Sequence, residues 1–274
     1  MTDTTIDHGP LGRVLAYPDR YNPELLFPIA RAASRTGMAI PKAWYGYDVW
    51  NAYEVSWLNV KGKPVVAIAR FTVPCHSPRL VESKSFKLYL NSYNEERFES
   101  EDAVRTRMVH DLSQATGVSV GVEMLSVRPS APIACEPLLG QCIDDLDINI
   151  DRYLPAPELL KCAANAALVE ETLTSDLLKS NCPVTGQPDW GSVQVRYRGK
   201  QIDHASLLAY IVSMRRHDGF HEHCVERMYC DIWAACQPST LLVYARYTRR
   251  GGLDINPWRS SEPVEVSQAR TPRQ

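Results

Sequence analysis

Hydrophobic and polar positions change their period several times along this chain. Tyr47 to Val60 is aromatic and β-branched, Lys61-Gly62-Lys63 turns the chain, and Pro64 to Val73 returns in the same character, which predicts a hairpin. Pro74-Cys75-His76-Ser77-Pro78 breaks the second strand. The period then lengthens, and helices are expected over 83–96 and 100–116, with Gly117 as the residue that ends the second. Val118 to Val127 alternates as a strand does. The second half repeats the order. Strands are expected over 168–180 and 192–198, helices over 202–215 and 221–236, and a last strand over 240–247. The helix from His221 places Val225, Met228, Ile232 and Ala235 on one face.

This order predicts an α+β fold with two successive strand–strand–helix–helix modules. What repeats is the succession of elements, not the residues. Leu154-Pro155-Ala156-Pro157 marks the boundary. The expected organisation is an N-terminal arm over 1–45, with a short helix over 28–35, then modules over 46–155 and 156–274. The tail after Trp258 is polar and expected to be loose.

Composition narrows the class. The chain has 274 residues, 45% hydrophobic and 23% charged, and a net charge of −2. That length and composition suit a globular protein with a sizeable core. The charge balance does not indicate a nucleic-acid surface. No apolar run approaches the length of a spanning helix, and the start has neither a basic flank nor an apolar stretch, so a cytoplasmic protein is expected. The eight cysteines include no Cys-x-x-Cys pair and are expected to be reduced thiols.

Chemistry concentrates in Ser180-Asn181-Cys182-Pro183-Val184-Thr185-Gly186-Gln187-Pro188-Asp189-Trp190, where a cysteine and an aspartate share a turn-rich loop between strands. An inert thiol in a surface loop would look the same. Further on, Gly219 ends one helix and Phe220-His221-Glu222-His223 opens the next. A helix start offers free N–H groups, His221 and Glu222 can bind a polar heterocycle, and Phe220 can stack on a planar ring. Solvated capping residues are the plain alternative. A zinc site from Cys182, His221, His223 and Cys224 uses permitted ligands, but the i, i+2 spacing of the two histidines points them apart. Lys84 and Lys87 share a helix face suited to phosphates, as does Arg249-Arg250-Gly251-Gly252, although solvated charges explain both equally.

Four segments, taken together, carry a resemblance over nearly the whole chain. Glu82-Ser83-Lys84-Ser85-Phe86-Lys87-Leu88-Tyr89, the Cys182-to-Asp189 loop, Phe220-His221-Glu222 and Arg249-Arg250-Gly251-Gly252-Leu253-Asp254-Ile255-Asn256-Pro257 occur in the order found in the long form of the QueF family. These are NADPH-dependent reductases of 7-cyano-7-deazaguanine (preQ0) in queuosine biosynthesis, a tRNA-modification pathway. The resemblance implies the tunnelling fold, with two modules fused in one chain, and a homo-oligomer, expected to be a homodimer. It implies Cys182 as the nucleophile toward the nitrile, Asp189 as its proton-transfer partner and His221 as an aid to proton movement. It further implies Val81, Glu82, Ser83, Phe220, His221 and Glu222 for the deazapurine. Ser83, Lys84, Arg250 and Gly251 are implied for NADPH. No metal is implied.

The implied chemistry suits these residue types. A thiolate is the strongest protein nucleophile near neutral pH, and a nitrile carbon is a modest electrophile. The adduct would be a covalent thioimide, reduced to the primary amine (preQ1) at the expense of about two NADPH. No G-x-G-x-x-G follows a strand, so NADPH binding would owe nothing to a Rossmann unit. A cysteine hydrolase or amidotransferase, a zinc-dependent cyclohydrolase and a non-catalytic scaffold are the competing classes. NADPH consumption with preQ0 separates the first reading from all three.

Overall fold

A computed structural model describes residues 18, 20–41, 44–130 and 134–274, so part of the expected N-terminal arm lies outside the described residues. In chain order the elements are β1 (Pro28–Ala30), α1 (Arg31–Arg35), β2 (Tyr45–Leu58), β3 (Pro64–Pro74), β4 (Arg79–Val81), α2 (Ser83–Asn91), α3 (Glu101–Thr116), β5 (Gly121–Leu125) and β6 (Gln141–Cys142). There follow β7 (Leu168–Ser175), β8 (Lys179–Asn181), β9 (Pro188–Lys200), α4 (His204–Ser213), α5 (His221–Cys236), β10 (Thr240–Tyr247) and β11 (Leu253–Ser260). The fold is therefore mixed α+β; the pairs β1–β4, β3–β5, β7–β9, β8–β9, β9–β10 and β10–β11 are antiparallel, and β6 meets β7 in a parallel two-residue contact.

The described residues divide into two compact units, one drawn from 18–34, 48–130 and 249–254, the other from 35–47, 134–248 and 255–274, each within the described residues. In the first unit, β3 lies between β2 and β5, and Phe71 of β3 pairs with Val122 of β5. Phe86 of α2 fixes the helix to these strands, edge-on to Trp50 at 5.1 Å and to Phe71 at 5.0 Å. Glu82 starts α2 as its N-cap, and Gly117 ends α3 in the left-handed region at φ 81°.

The arm is docked where it is described. β1 pairs with β4, setting Pro28 opposite Val81. The Tyr21 hydroxyl donates to Asp111 Oδ2 at 2.6 Å, the same oxygen that accepts from Tyr89 at 2.7 Å. Burial and these hydrogen bonds to a carboxylate push the Tyr21 hydroxyl up to about 12, so it stays a donor.

In the second unit, β9 is flanked by β7 and β10, and β11 extends the sheet beyond β10. Val193, Val195 and Tyr197 of β9 and Leu241 and Val243 of β10 form one core with Leu207 and Ile211 of α4 and Val225, Met228 and Ile232 of α5. Burying each such side chain contributes about 1.5–3 kcal/mol.

Several sequence expectations shift. The helix expected over 28–35 begins only at Arg31, because Pro28–Ala30 is a strand held by β4. The first long helix stops at Asn91 rather than residue 96, where the Ser92 hydroxyl turns back onto Tyr89 O at 2.6 Å. The strand over 168–180 is broken between Ser175 and Lys179, and β9 starts at Pro188, which moves Asp189 and Trp190 from the loop into a strand. The tail is not loose. β11 runs to Ser260, and Gln274 accepts from Arg246 Nε at 2.8 Å and donates to Asn256 Oδ1 at 2.7 Å.

Candidate active site

Cys182 follows β8 directly and is nearly buried, with a free thiol. Its N–H donates to Gln187 O at 2.9 Å and its carbonyl accepts from Gly186 N–H at 3.0 Å, so residues 182–187 close a tight loop. Gly186 takes φ 66°, a conformation that favours glycine in such a turn. The loop joins β8 to β9, with Ser180 opposite Asp189. Cys182 opens this loop two residues beyond Ser180, so the cysteine and the aspartate belong to one hairpin.

A third segment is fastened to the same strand end. Asn181 N–H donates to His217 O at 2.8 Å, and its carbonyl accepts from Gly219 N–H at 3.1 Å. The Asn181 side-chain amide donates to Asp218 Oδ1 at 3.1 Å. These bonds pin the turn that leads into α5 beside the cysteine. Phe220 is the N-cap of α5, and His221 and Glu222 lie in its first turn, where the helix dipole favours a carboxylate. Glu222 is buried. His221 Nε2 comes to 3.7 Å from Asp189 Oδ2, with both side chains largely shielded from solvent. Thus Cys182, Asp189, Phe220, His221 and Glu222 belong to one locality of the second unit.

The remaining predicted residues belong to the first unit. Val81 ends β4 and is buried. Glu82 is also buried, and its carboxylate accepts from Lys84 N–H at 2.7 Å and Ser85 N–H at 2.8 Å. Ser83 and Lys84 open α2, both half-buried. Arg250 and Gly251 lie in the turn before β11, where Gly251 and Gly252 take φ 60° and 73°. Arg250 bridges to Leu253, and Gly252 O accepts from Tyr53 N–H at 2.9 Å. A Cβ on Gly251 would meet Lys87 Nζ at 3.3 Å, so the bare backbone lets that lysine stand against the turn. Lys87 and Arg250 suit a phosphate, while the Glu54 carboxylate stands against Gly252 of the same turn.

Two family models match the chain. Residues 17–124 match the N-terminal model of nitrile reductase, 7-cyano-7-deazaguanine-reductase, and residues 188–265 match a QueF-like protein model. A Bordetella pertussis protein called NADPH-dependent 7-cyano-7-deazaguanine reductase is 56% identical over 273 residues, covering 98% of this chain and 100% of its own length. Proteins of the same name from Bordetella avium (54%; 97% and 99%) and Burkholderia vietnamiensis (55%; 98% and 99%) are similar to the same extent. The chain belongs to the NADPH-dependent 7-cyano-7-deazaguanine reductase family. Among solved structures, the apo form of an archaeosine synthase QueF-Like matches 36% of this chain at 20% identity, with a TM-score of 0.31.

Other features of this family member's site come only with the structure. Ser180, Cys224 and Tyr247 are all buried close to Asp189. Burial pushes the Cys224 thiol up to about 11, so it remains protonated near neutral pH and is a poor nucleophile. Gly191 is a bare position inside β9. Ser180 could have been found by projecting the β8–β9 register. Tyr247 and Gly191 read as ordinary strand residues.

Proposed function

We propose that the protein is an oxidoreductase that converts preQ0 to 7-aminomethyl-7-deazaguanine (preQ1) with NADPH, in the queuosine pathway of tRNA modification. The observation that carries this is a free, shielded Cys182 on a hairpin that also presents Asp189, with His221 on that carboxylate, in a chain 56% identical over its length to a reductase of that name.

The residues divide the work as follows. Cys182 adds as thiolate to the nitrile carbon, and Asp189 delivers a proton to the nitrile nitrogen, giving a thioimide on the sulfur. His221 exchanges the proton with Asp189 and orients it. Phe220 stacks on the deazapurine, and Glu222 and Glu82 accept from its N–H groups, with Val81 and Ser83 beside them. Ser83, Lys84, Arg250 and Gly251, joined by Lys87, hold the phosphates of NADPH. When bound, NADPH supplies hydride, about two equivalents per nitrile. Enclosure keeps water from the partly reduced substrate.

The same reading includes the tunnelling fold with modules over 46–155 and 156–274 behind an arm over 1–45, and assembly as a homodimer. It takes no metal and no direct nucleic-acid contact. No helix among the described residues is long and apolar enough to cross a membrane. Eight free cysteines suit a reducing cytoplasm.

The test is mass spectrometry of the intact protein with preQ0 alone, followed by NADPH oxidation. Cys182 should gain the mass of the substrate, and Cys182→Ala should lose adduct and turnover together. A Cys182→Ala variant with parental turnover would end this reading.

A further inference from the structure

Strand β9 carries Gly191 two residues beyond Asp189, on the same face, and Tyr247 of β10 stands directly opposite that glycine. A Cβ on Gly191 would lie 3.2 Å from Tyr247 Cδ1, so the tyrosine ring rests over bare backbone. Glycine inside a strand marks such a close approach. The ring is buried, and its centroid is 4.1 Å from that of His221 at an interplanar angle of 80°. This edge-to-face contact is tighter than the usual separation of aromatic pairs, about 4.5–7 Å. From another side, Asp189 Oδ2 faces His221 Nε2 at 3.7 Å. The imidazole therefore has two neighbours that fix its plane, one aromatic and one acidic.

The tyrosine hydroxyl is buried beside Cys224 and Ser180. The contact that reaches the site is made by the ring.

We propose that Tyr247, seated by Gly191, is a positioning residue for the reduction: its ring sets the imidazole plane at which His221 meets Asp189. This rests on the reductase reading above. An unconstrained imidazole would rotate about its side-chain bonds and lose its alignment with the carboxylate, and misplacement on the order of 1 Å can cost about 100-fold in rate.

The full-length protein is compared as wild type, Tyr247→Phe, Tyr247→Leu and Gly191→Ala. NADPH oxidation with preQ0 and the rate of adduct formation on Cys182 without NADPH are both measured. Tyr247→Phe should keep kcat within about twofold, because the ring remains. Tyr247→Leu should lower kcat and adduct formation by about 10- to 100-fold, with the KM for NADPH unchanged. Gly191→Ala displaces the ring and should act in the same direction, and it carries the test if the leucine variant does not fold. Parental rates in Tyr247→Leu or in Gly191→Ala would overturn the proposal. So would a Tyr247→Phe variant as slow as Tyr247→Leu, since the hydroxyl would then be the working part. Wild-type protein that oxidises no NADPH with preQ0 sinks the reductase reading itself, and this role with it.

Discussion

His221 and Asp189 meet at 3.7 Å between Nε2 and Oδ2, one from the first turn of α5 and the other from the second residue of β9. They come together because Asn181 bonds the turn before α5 to the end of β8, while β8 pairs with β9. Cys182, Asp189 and His221, the proposed nucleophile, acid and proton-transfer aid, are thus set by backbone hydrogen bonds, which a side-chain substitution at the site leaves in place.

That permits a clean test of the acid. Asp189→Asn keeps the shape and removes the exchangeable proton of a carboxylic acid. Adduct formation on Cys182 should slow by about 100-fold or more, while preQ0 binding persists. Rapid-mixing absorbance of the thioimide measures the first and calorimetry the second. An asparagine variant forming adduct at the parental rate would remove Asp189 from the proton path.

The phosphate role is tested apart from the chemistry. Lys84→Ala and Arg250→Ala should each raise the KM for NADPH by about tenfold, a loss of about 1.4 kcal/mol, with little change in kcat at saturating cofactor. Steady-state kinetics against NADPH decides. An unchanged KM in both variants would discard this assignment.

Stability depends on a buried ion group in the second unit. Glu226 Oε1 accepts from Arg35 Nη2 and from Arg259 Nη2, each at 2.7 Å, and Glu226 and Arg259 are shielded from solvent. Glu226→Gln leaves two guanidinium groups without their counter-charge. Unfolding free energy should fall by about 3–5 kcal/mol in a urea titration. A loss below about 1 kcal/mol would show that the arginines find other partners.

His217 gives a pH dependence with a definite sign. Burial is the largest cause that holds its imidazole down at about 3, and the nearby His223 and Arg227 add to it. The unfolded chain takes up this proton near pH 6.5, so the native state is favoured above that value. The contribution is lost as pH falls from about 6.5 toward 3, amounting to about 2 kcal/mol by pH 5. The melting temperature should therefore drop between pH 7 and pH 5, and by less in His217→Gln. An identical drop in both proteins would assign the effect elsewhere.

Legibility followed the range of the interactions. α5 and β10 were placed to the residue, since their apolar period is local and Phe220 and Gln237 end the helix abruptly. β1 was misread as helix, because Pro28–Ala30 takes its state from β4, about fifty residues away, and no local pattern announces that pairing. Asp189 was expected in the loop because Pro188 punctuates it. The structure allows that proline to open a strand, where only its missing N–H is lost. The polar tail looked loose, yet Gln274 anchors it, accepting from Arg246 and donating to Tyr247 O and Asn256 Oδ1.

The residue types and their order were enough to name the reaction class and to mark Cys182 and Asp189 as the proposed nucleophile and acid, because such chemistry requires a thiol, a proton donor and a ring-binding helix start, and each leaves a short local mark. What the order of residues could not convey is how an imidazole acquires a fixed plane. That came from a bare strand position, a tyrosine across the ladder and a helix start brought in by one backbone bridge, contacts between distant segments that exist only once the chain is packed.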